Sequence, residues 1–190
     1  NDNLFWGEVG SDSTYRIDDI YLGYSIRAVI SYQDDQGYDE EVITDSVSIL
    51  YGYEFTDRGT LITAIDAWIE DPDAAKETYG HINSWDVSAI TDFSSLFLNK
   101  ATFNSDIGNW DVSSGTDFSE MFYEASAFNQ DIGDWDVSSG TDFEYMFSEA
   151  SAFNQDIGNW DVSNGTDFSE MFLCYGNSVF NQDIGDWDVS

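Results

Sequence analysis

Aspartates recur along this chain in register with tryptophans. Asp111, Asp136, Asp161 and Asp188 follow Trp in W-D-V-S, and Asp106, Asp131, Asp156 and Asp183 precede Ile-Gly. Trp85, Trp110, Trp135 and Trp160 lie 25 residues apart, and Trp187 follows after 27. A period of this length marks stacked repeats, none of which buries its own apolar face. Stacking would set equivalent residues ~4.8 Å apart. Two carboxylates at that distance repel by about 1 kcal/mol in water, and by roughly 3–4 kcal/mol at an effective dielectric of about 20. Hydrogen bonds at turns, raised pKa values or bound cations would relieve them. Asp134 and Asp136 share a face two residues apart, as do Asp186 and Asp188, with Asn109–Asp111 and Asn159–Asp161 in the alternate repeats. Hard oxygens from neighbouring repeats suit Ca²⁺, which takes about 6–8 of them. Asp111, Asp131, Asp134, Asp136, Asp156, Asp161, Asp186 and Asp188 are therefore the candidate calcium ligands. The competing reading is a solvated acidic face with hydrogen-bonded Asp turns. The acidic run D-D-Q-G-Y-D-E-E (34–41) lacks the spacing of a helix–loop–helix calcium loop and reads as a hairpin turn.

Other chemistries have less support. His81 is the only histidine, with no serine or cysteine nucleophile motif to pair with it, so no triad is read. A repeated acidic surface offers no single carboxylate pair set apart by burial. The chain is therefore expected not to be an enzyme. An exposed Trp ladder would bind sugar, but these tryptophans alternate with Asp and read as core. Asn104, Asn129, Asn154 and Asn181 form a further column, expected to satisfy backbone groups at the turns.

Charge narrows the partners. The sequence has 5 Lys+Arg against 38 Asp+Glu, a formal net charge of -33, and no cation after Lys100. Binding to nucleic acid or to an anionic membrane through phosphate neutralisation is not expected on that balance. No apolar run approaches the roughly 20 residues of a membrane helix. Cys174 is the only cysteine, so the chain has no internal disulfide and no multi-thiolate metal site. Scarce cysteine with heavy acidity suits a secreted microbial protein, and an extracellular or cell-surface location is expected.

The elements that must position these residues fall into three segments: 1–50, 51–84 and 85–190. In the first, alternation predicts strands over Ser25–Tyr32 and Glu41–Ile49, joined at Asp34–Gly37 as a hairpin. In the second, Leu61, Ile62, Ile65, Trp68 and Ile69 lie on one helical face. A second helix is predicted from Asp71 with Pro72 at its first position, ended by Gly80. The pair reads as a helical cap on the repeats. Over 85–190 each repeat is expected to hold a short extended piece at W-D-V-S, with Trp135 and Val137 inward and Asp134, Asp136 and Ser138 outward. One or two helical turns are expected at T-D-F-S-E-M-F, where Phe118, Met121 and Phe122 fall at i, i+3 and i+4 and Thr116 caps.

The motif F-N-Q-D-I-G-x-W-D-V-S-x-G-T-D-F-S-E-M-F closely resembles the 25-residue repeats of BspA-like leucine-rich-repeat surface proteins, over roughly residues 57–190. The resemblance implies a leucine-rich-repeat-like solenoid on a secreted or surface-anchored microbial protein, used in adhesion or matrix contact. Gly115, Gly140 and Gly165 stand where that family usually has Val and where this chain has Ile90 once. A tighter backbone approach is the expected compensation. The stretches S-T-Y-R-I-D-D-I-Y-L-G-Y-S-I-R-A-V-I-S-Y and E-E-V-I-T-D-S-V resemble the later strands of a bacterial immunoglobulin-like domain, of which about half is present.

The expected fold class is thus α+β: a leucine-rich-repeat-like solenoid of 25-residue coils with a helical N-terminal cap and a small Ig-like β module. The expected function is a non-enzymatic extracellular structural protein that self-associates into a filament or surface layer, stabilised by calcium. The expected partner is a second copy of the chain, through strand complementation or end-to-end solenoid stacking. A half-domain at one end and an uncapped coil at the other point that way, and a chain that continues beyond residues 1 and 190 explains both equally well. The alternative is an adhesin that binds a host protein or glycan through the solenoid face.

Overall fold

A computed structural model describes residues 52–176 and 178–189 in full, and before them four short strands by their backbone. The chain divides into two compact units, Asn1–Tyr51 and Gly52–Ser190. In the first, β1 (Ser25–Ile26) pairs antiparallel with β4 (Val47–Ser48), and β2 (Val29–Gln33) with β3 (Asp39–Ile43). Val29 faces Ile43 and Gln33 faces Asp39 across the latter pair. Residues 27–28, 34–38 and 44–46 of the expected hairpin lie outside the described residues.

The second unit opens with α1 (Arg58–Glu70) and α2 (Pro72–Tyr79). Asp57 starts α1 by accepting from Thr60 N at 2.9 Å and Thr60 Oγ1 at 2.6 Å, satisfying a backbone donor that the first turn leaves unpaired. Asp71 ends α1 and in turn caps α2 through Ala74 N at 3.1 Å, with Pro72 next to it. Gly80 stops α2 at φ 74°, a left-handed conformation that glycine adopts without steric cost. Leu61, Ala64, Ile65 and Trp68 turn one face of α1 into the core. Trp68 Nε1 donates to Ser105 Oγ at 2.9 Å. Lys100 pairs with Asp66, and Arg58 Nε lies 3.3 Å from Asp92. These contacts tie α1 to the first repeats.

The repeats then lie one upon another. Phe93, Phe118, Phe143 and Phe168 form a column with ring centroids 5.2–5.5 Å apart and planes within 7°. Phe97, Phe122, Phe147 and Phe172 form a second at 5.2–5.7 Å, and Phe103, Phe128, Phe153 and Phe180 a third at 5.9–6.0 Å. Each such aromatic pair adds about 0.5–1.5 kcal/mol beyond the burial of its area. The tryptophans are stitched across repeats. Trp110, Trp135, Trp160 and Trp187 donate Nε1 to the carbonyls of Ile82, Ile107, Ile132 and Ile157 at 2.8–3.3 Å. The buried indole donor is thereby satisfied by the neighbouring repeat.

This architecture overturns the expected fold class. The described residues from 52 onward contain two α-helices, one 3₁₀ turn (Ile82–Ser84) and no β-strand. They form neither an α+β fold nor a leucine-rich-repeat-like solenoid. The two two-stranded pairs of the first unit are not the packed sheets of an Ig-like module. The physical reason lies in where the backbone donors go. At T-D-F-S-E-M-F no helix forms, because Phe118, Glu120, Phe122 and Glu124 donate N–H to Asp142, Glu144, Met146 and Ser148 of the next repeat at 2.8–2.9 Å. The intervening N–H groups close tight turns, as from Met121 to Phe118 O at 3.2 Å and from Tyr123 to Glu120 O at 3.0 Å. Only one residue per repeat forms a ladder bridge, Asp92 to Asp117 to Asp142 to Asp167. The W-D-V-S piece is bent, not extended into a strand, by its own Asp–Ser hydrogen bonds. The inward set nevertheless matches the pattern: Trp135, Val137, Phe118, Met121 and Phe122 are buried, and Asp134 and Asp136 exposed.

Gly140 shows the packing tolerance. A Cβ there would sit 2.4 Å from Phe143 Cζ and 3.0 Å from Val137 O. The ring of the same repeat folds over the glycine and fills the space a side chain would take. Gly140→Ala is expected to lower stability by about 1–3 kcal/mol in denaturant unfolding. Gly176→Ala, where a Cβ meets nothing within 4 Å, is expected to leave the midpoint close to the parent value.

Candidate functional site

Each repeat carries three aspartates that bend the backbone around themselves. In D-I-G, Asp106, Asp131, Asp156 and Asp183 accept on Oδ1 from the glycine N–H two residues on, at 2.9–3.0 Å. In D-V-S, Asp111, Asp136 and Asp161 accept from the N–H of Ser113, Ser138 and Ser163 at 3.0–3.1 Å. The hydroxyls of Ser113 and Ser138 add a second bond at 2.6 Å. In D-F-S, Asp92, Asp117 and Asp167 accept from Ser94, Ser119 and Ser169 N–H in the same way, and Asp142 from Glu144 N–H at 2.9 Å. An Asp two residues before its donor is a local turn that competes with helix and strand.

These turns hold five of the eight candidate calcium ligands in place. Asp111, Asp131, Asp136, Asp156 and Asp161 each spend Oδ1 within their own turn. Asp134, Asp186 and Asp188 are exposed. Asp134 and Asp136 flank the buried Trp135, so both carboxylates face solvent as the spacing implied. Among the described residues no group of three or more His, Cys, Asp or Glu side chains is placed to hold a metal ion. The acidic run at 34–41 falls partly outside the described residues.

The electrostatics follow from the turns. The Ser138 and Ser163 hydroxyls, then their N–H groups, hold the carboxyls of Asp136 and Asp161 below the usual carboxylate range. Ser169 does the same for Asp167. Asp161 opposes the shift at Asp136 through its like charge. Glu144 goes the other way. Burial first, then the charges of Asp167, Asp142, Glu120 and Glu170, push its carboxyl up.

The asparagine column works as expected on the backbone and has a partner that the sequence reading missed. Asn104, Asn129 and Asn154 accept on Oδ1 from the N–H of Asn129, Asn154 and Asn181 at 2.9–3.0 Å. Gln130, Gln155 and Gln182 then clamp the same asparagines, each Nε2 reaching both the backbone O and Oδ1 at 2.9–3.2 Å. The clue was in the repeat itself. Ser105 stands where the later repeats have Gln, and it is Ser105 that receives the Trp68 indole. His81 caps the 3₁₀ turn, its Nδ1 accepting from Asn83 N at 3.3 Å, with its ring edge-on to Trp68 at 5.3 Å. The open groove between α1 and α2, about 580 Å³, is lined by Ala67, Glu70, Asp71, Ala74, Ala75, Thr78 and Tyr79 and holds no histidine or cysteine.

The geometry is that of a repeat module, and the family comparison addresses the same stretch. Residues 72–187 match the DUF285 family, described as a Mycoplasma protein of unknown function. The chain belongs to that family. The DUF285 match begins at Pro72, the first residue of α2, and runs through Trp187 in the last aromatic column. No curated protein and no solved structure matches the chain.

The two kinds of carboxylate predict a stability maximum in acid. The lowered pKa values of Asp136, Asp161 and Asp167 contribute stability that is present above the unfolded value of 3.8 and lost as pH falls through the lower folded value. Glu144, raised above 4.5, opposes folding while ionised, and that penalty vanishes as pH falls through its raised value. Urea midpoints are expected to rise from neutral pH to about pH 4–5 and to fall below it. Glu144→Gln is expected to raise the neutral-pH midpoint and shrink the rise.

Proposed function

We propose that this chain is a non-enzymatic structural protein of the cell exterior that associates with copies of itself through its acidic face, with Ca²⁺ between the copies. One observation carries the reading. The D-I-G and D-V-S turns repeat the same carboxylate arrangement from one repeat to the next, each Asp accepting from the backbone N–H two residues on. A fixed, periodic array of hard oxygens is suited to a periodic partner, and a second copy has the matching period. At a formal charge of -33 two copies repel unless cations lie between them. Calcium takes about 6–8 oxygens, more than two neighbouring aspartates supply, so water and a facing copy complete its shell. The resemblance to BspA-like surface proteins and the scarcity of cysteine support the exterior location.

The reading is tested on the full chain by sedimentation velocity and electron microscopy in millimolar Ca²⁺ and in EDTA. Large assemblies are expected in calcium and are expected to dissolve in EDTA. The triple variant Asp111→Asn, Asp136→Asn, Asp161→Asn keeps each turn acceptor while removing its charge, and is expected to need several-fold more calcium to assemble. A monomer at every calcium concentration would sink the proposal.

A further inference from the structure

Asn164–Gly165 is the one Asn–Gly pair in the sequence. It lies in the turn after the fourth W-D-V-S, where the two preceding repeats carry Ser114 and Ser139. Asparagine before glycine has a chemistry of its own. The backbone nitrogen of the following residue attacks the side-chain carbon Cγ and closes a succinimide ring. Glycine leaves that approach open, because it has no Cβ and a wide choice of backbone angles. Asn154 and Asn159 of the same repeat are followed instead by Gln155 and Trp160.

We infer that Asn164–Gly165 is a self-modification site that the stack holds closed and that converts when the fourth repeat opens. The Asn164 side chain is exposed to water. Its reacting atoms are nonetheless pinned. Nδ2 donates to Ser138 O of the preceding repeat at 2.8 Å. Gly165 N–H donates to Val162 O at 2.8 Å, so the attacking nitrogen is engaged within its own turn. Thr166 holds the far side, its N–H and Oγ1 reaching Thr141 O at 2.8 and 2.9 Å. The attack swings Cγ towards Gly165 N and needs that N–H released, so the bonds to Ser138 and Val162 must break first. The chain and water supply everything the reaction consumes. Gly165 N loses its proton and bonds Cγ, the Cγ–Nδ2 bond breaks, and Nδ2 leaves with that proton as ammonia. Water then opens the ring at Cγ to give aspartate, or at the main-chain carbonyl to give isoaspartate, whose backbone runs through the former side chain. Neither product restores the parent contacts. A carboxylate has no donor for Ser138 O. Isoaspartate lengthens the main chain beside Gly165, where an added Cβ would lie only 2.2 Å from Phe168 Cζ. An opening of this repeat is thus recorded irreversibly, and the converted repeat stacks less well on the one before it.

The inference does not rest on self-association, and its test is run in EDTA to keep the two apart. The full chain is held in neutral buffer, either folded or in concentrated guanidinium chloride, sampled at intervals and cut after glutamate. Mass spectrometry follows the fragment 150–170, which carries Asn154, Asn159 and Asn164. In denaturant the mass gain of amide-to-acid conversion is expected at Asn164 before the other two. In the folded chain it is expected at least about tenfold more slowly, because only the opened repeat reacts. Asn164→Ser takes the residue of the preceding repeats and is expected to abolish the conversion at this position. Asn164→Asp reproduces one product and is expected to unfold at a lower urea midpoint than Asn164→Ser. Equal rates in the folded and denatured chain, no preference for Asn164 in denaturant, or an Asp variant as stable as the Ser variant would overturn the inference.

Discussion

Each repeat depends on its neighbour for its backbone hydrogen bonds. The N–H groups of Phe118, Glu120, Phe122 and Glu124 have their acceptors in the next repeat. The indole N–H of Trp135 has its acceptor in the previous one. An isolated repeat would leave these donors to water and its rings half exposed, with too little burial to offset the ordering of its chain. Stacking satisfies both at once. The columns of Phe rings and the rows of inter-repeat hydrogen bonds are therefore one constraint. The rings fix the spacing, and the spacing brings N–H and C=O into reach. α1 enters the same scheme from the side, where Trp68 and Ser105 replace a contact that later repeats make through Gln.

That constraint explains the turn chemistry. Here alternate N–H groups point along the stack while the intervening ones close tight turns, so the backbone reverses direction within a few residues. Three Asx turns per repeat accomplish the reversals. Aspartate suits the task because its carboxylate accepts a local N–H without a partner from elsewhere. The consequence is a heavily acidic surface. Its charge is thus in part structural: Asp136 and Asp161 sit low in pKa because Ser138 and Ser163 stabilise the ionised form. Function, on the proposed reading, uses an array that the turns already require.

Much of the burial was legible in the sequence, and little of the backbone path was. Trp135, Val137, Phe118, Met121 and Phe122 are inside because apolar side chains at those spacings share a face under several geometries. That same degeneracy misled the reading of secondary structure. A Phe-x-x-Met-Phe run suits a helical turn, and Trp-x-Val suits a strand, yet neither forms. Side-chain pattern reports which residues face the core; it does not report where an N–H finds its acceptor. α1 and α2 were legible because their signals are local: Leu61, Ile65 and Trp68 on one helical face, Asp71 and Pro72 at the start of the second helix, Gly80 at its end. The calcium ligands were inferred from column spacing alone. The Oδ1 atoms of Asp111, Asp131, Asp136, Asp156 and Asp161 accept from backbone N–H groups two residues on, an arrangement local to each turn.

The left-handed residues link this backbone to its surface. Ser95, Glu120, Tyr145 and Glu170 have φ of 54–55°, and Asn99, Glu124 and Glu149 have φ of 57–61°. Only the two asparagine-like or small members, Asn99 and Ser95, are near the types that ease this conformation, and both lie in the first repeat. Later repeats carry Glu or Tyr there at a cost of roughly 1 kcal/mol each relative to glycine. The conformation itself is demanded by the stack, since it recurs whatever the side chain. The side chain is not demanded by the stack, since it changes from Ser to Glu to Tyr at one position. Glycine is used elsewhere in the same repeats where close packing requires it, as at Gly133, whose Cβ would lie 2.5 Å from Asp156 O. Its absence from the strained positions means that long polar and aromatic side chains are kept there against backbone preference, and they are kept on the one face where the repeats differ.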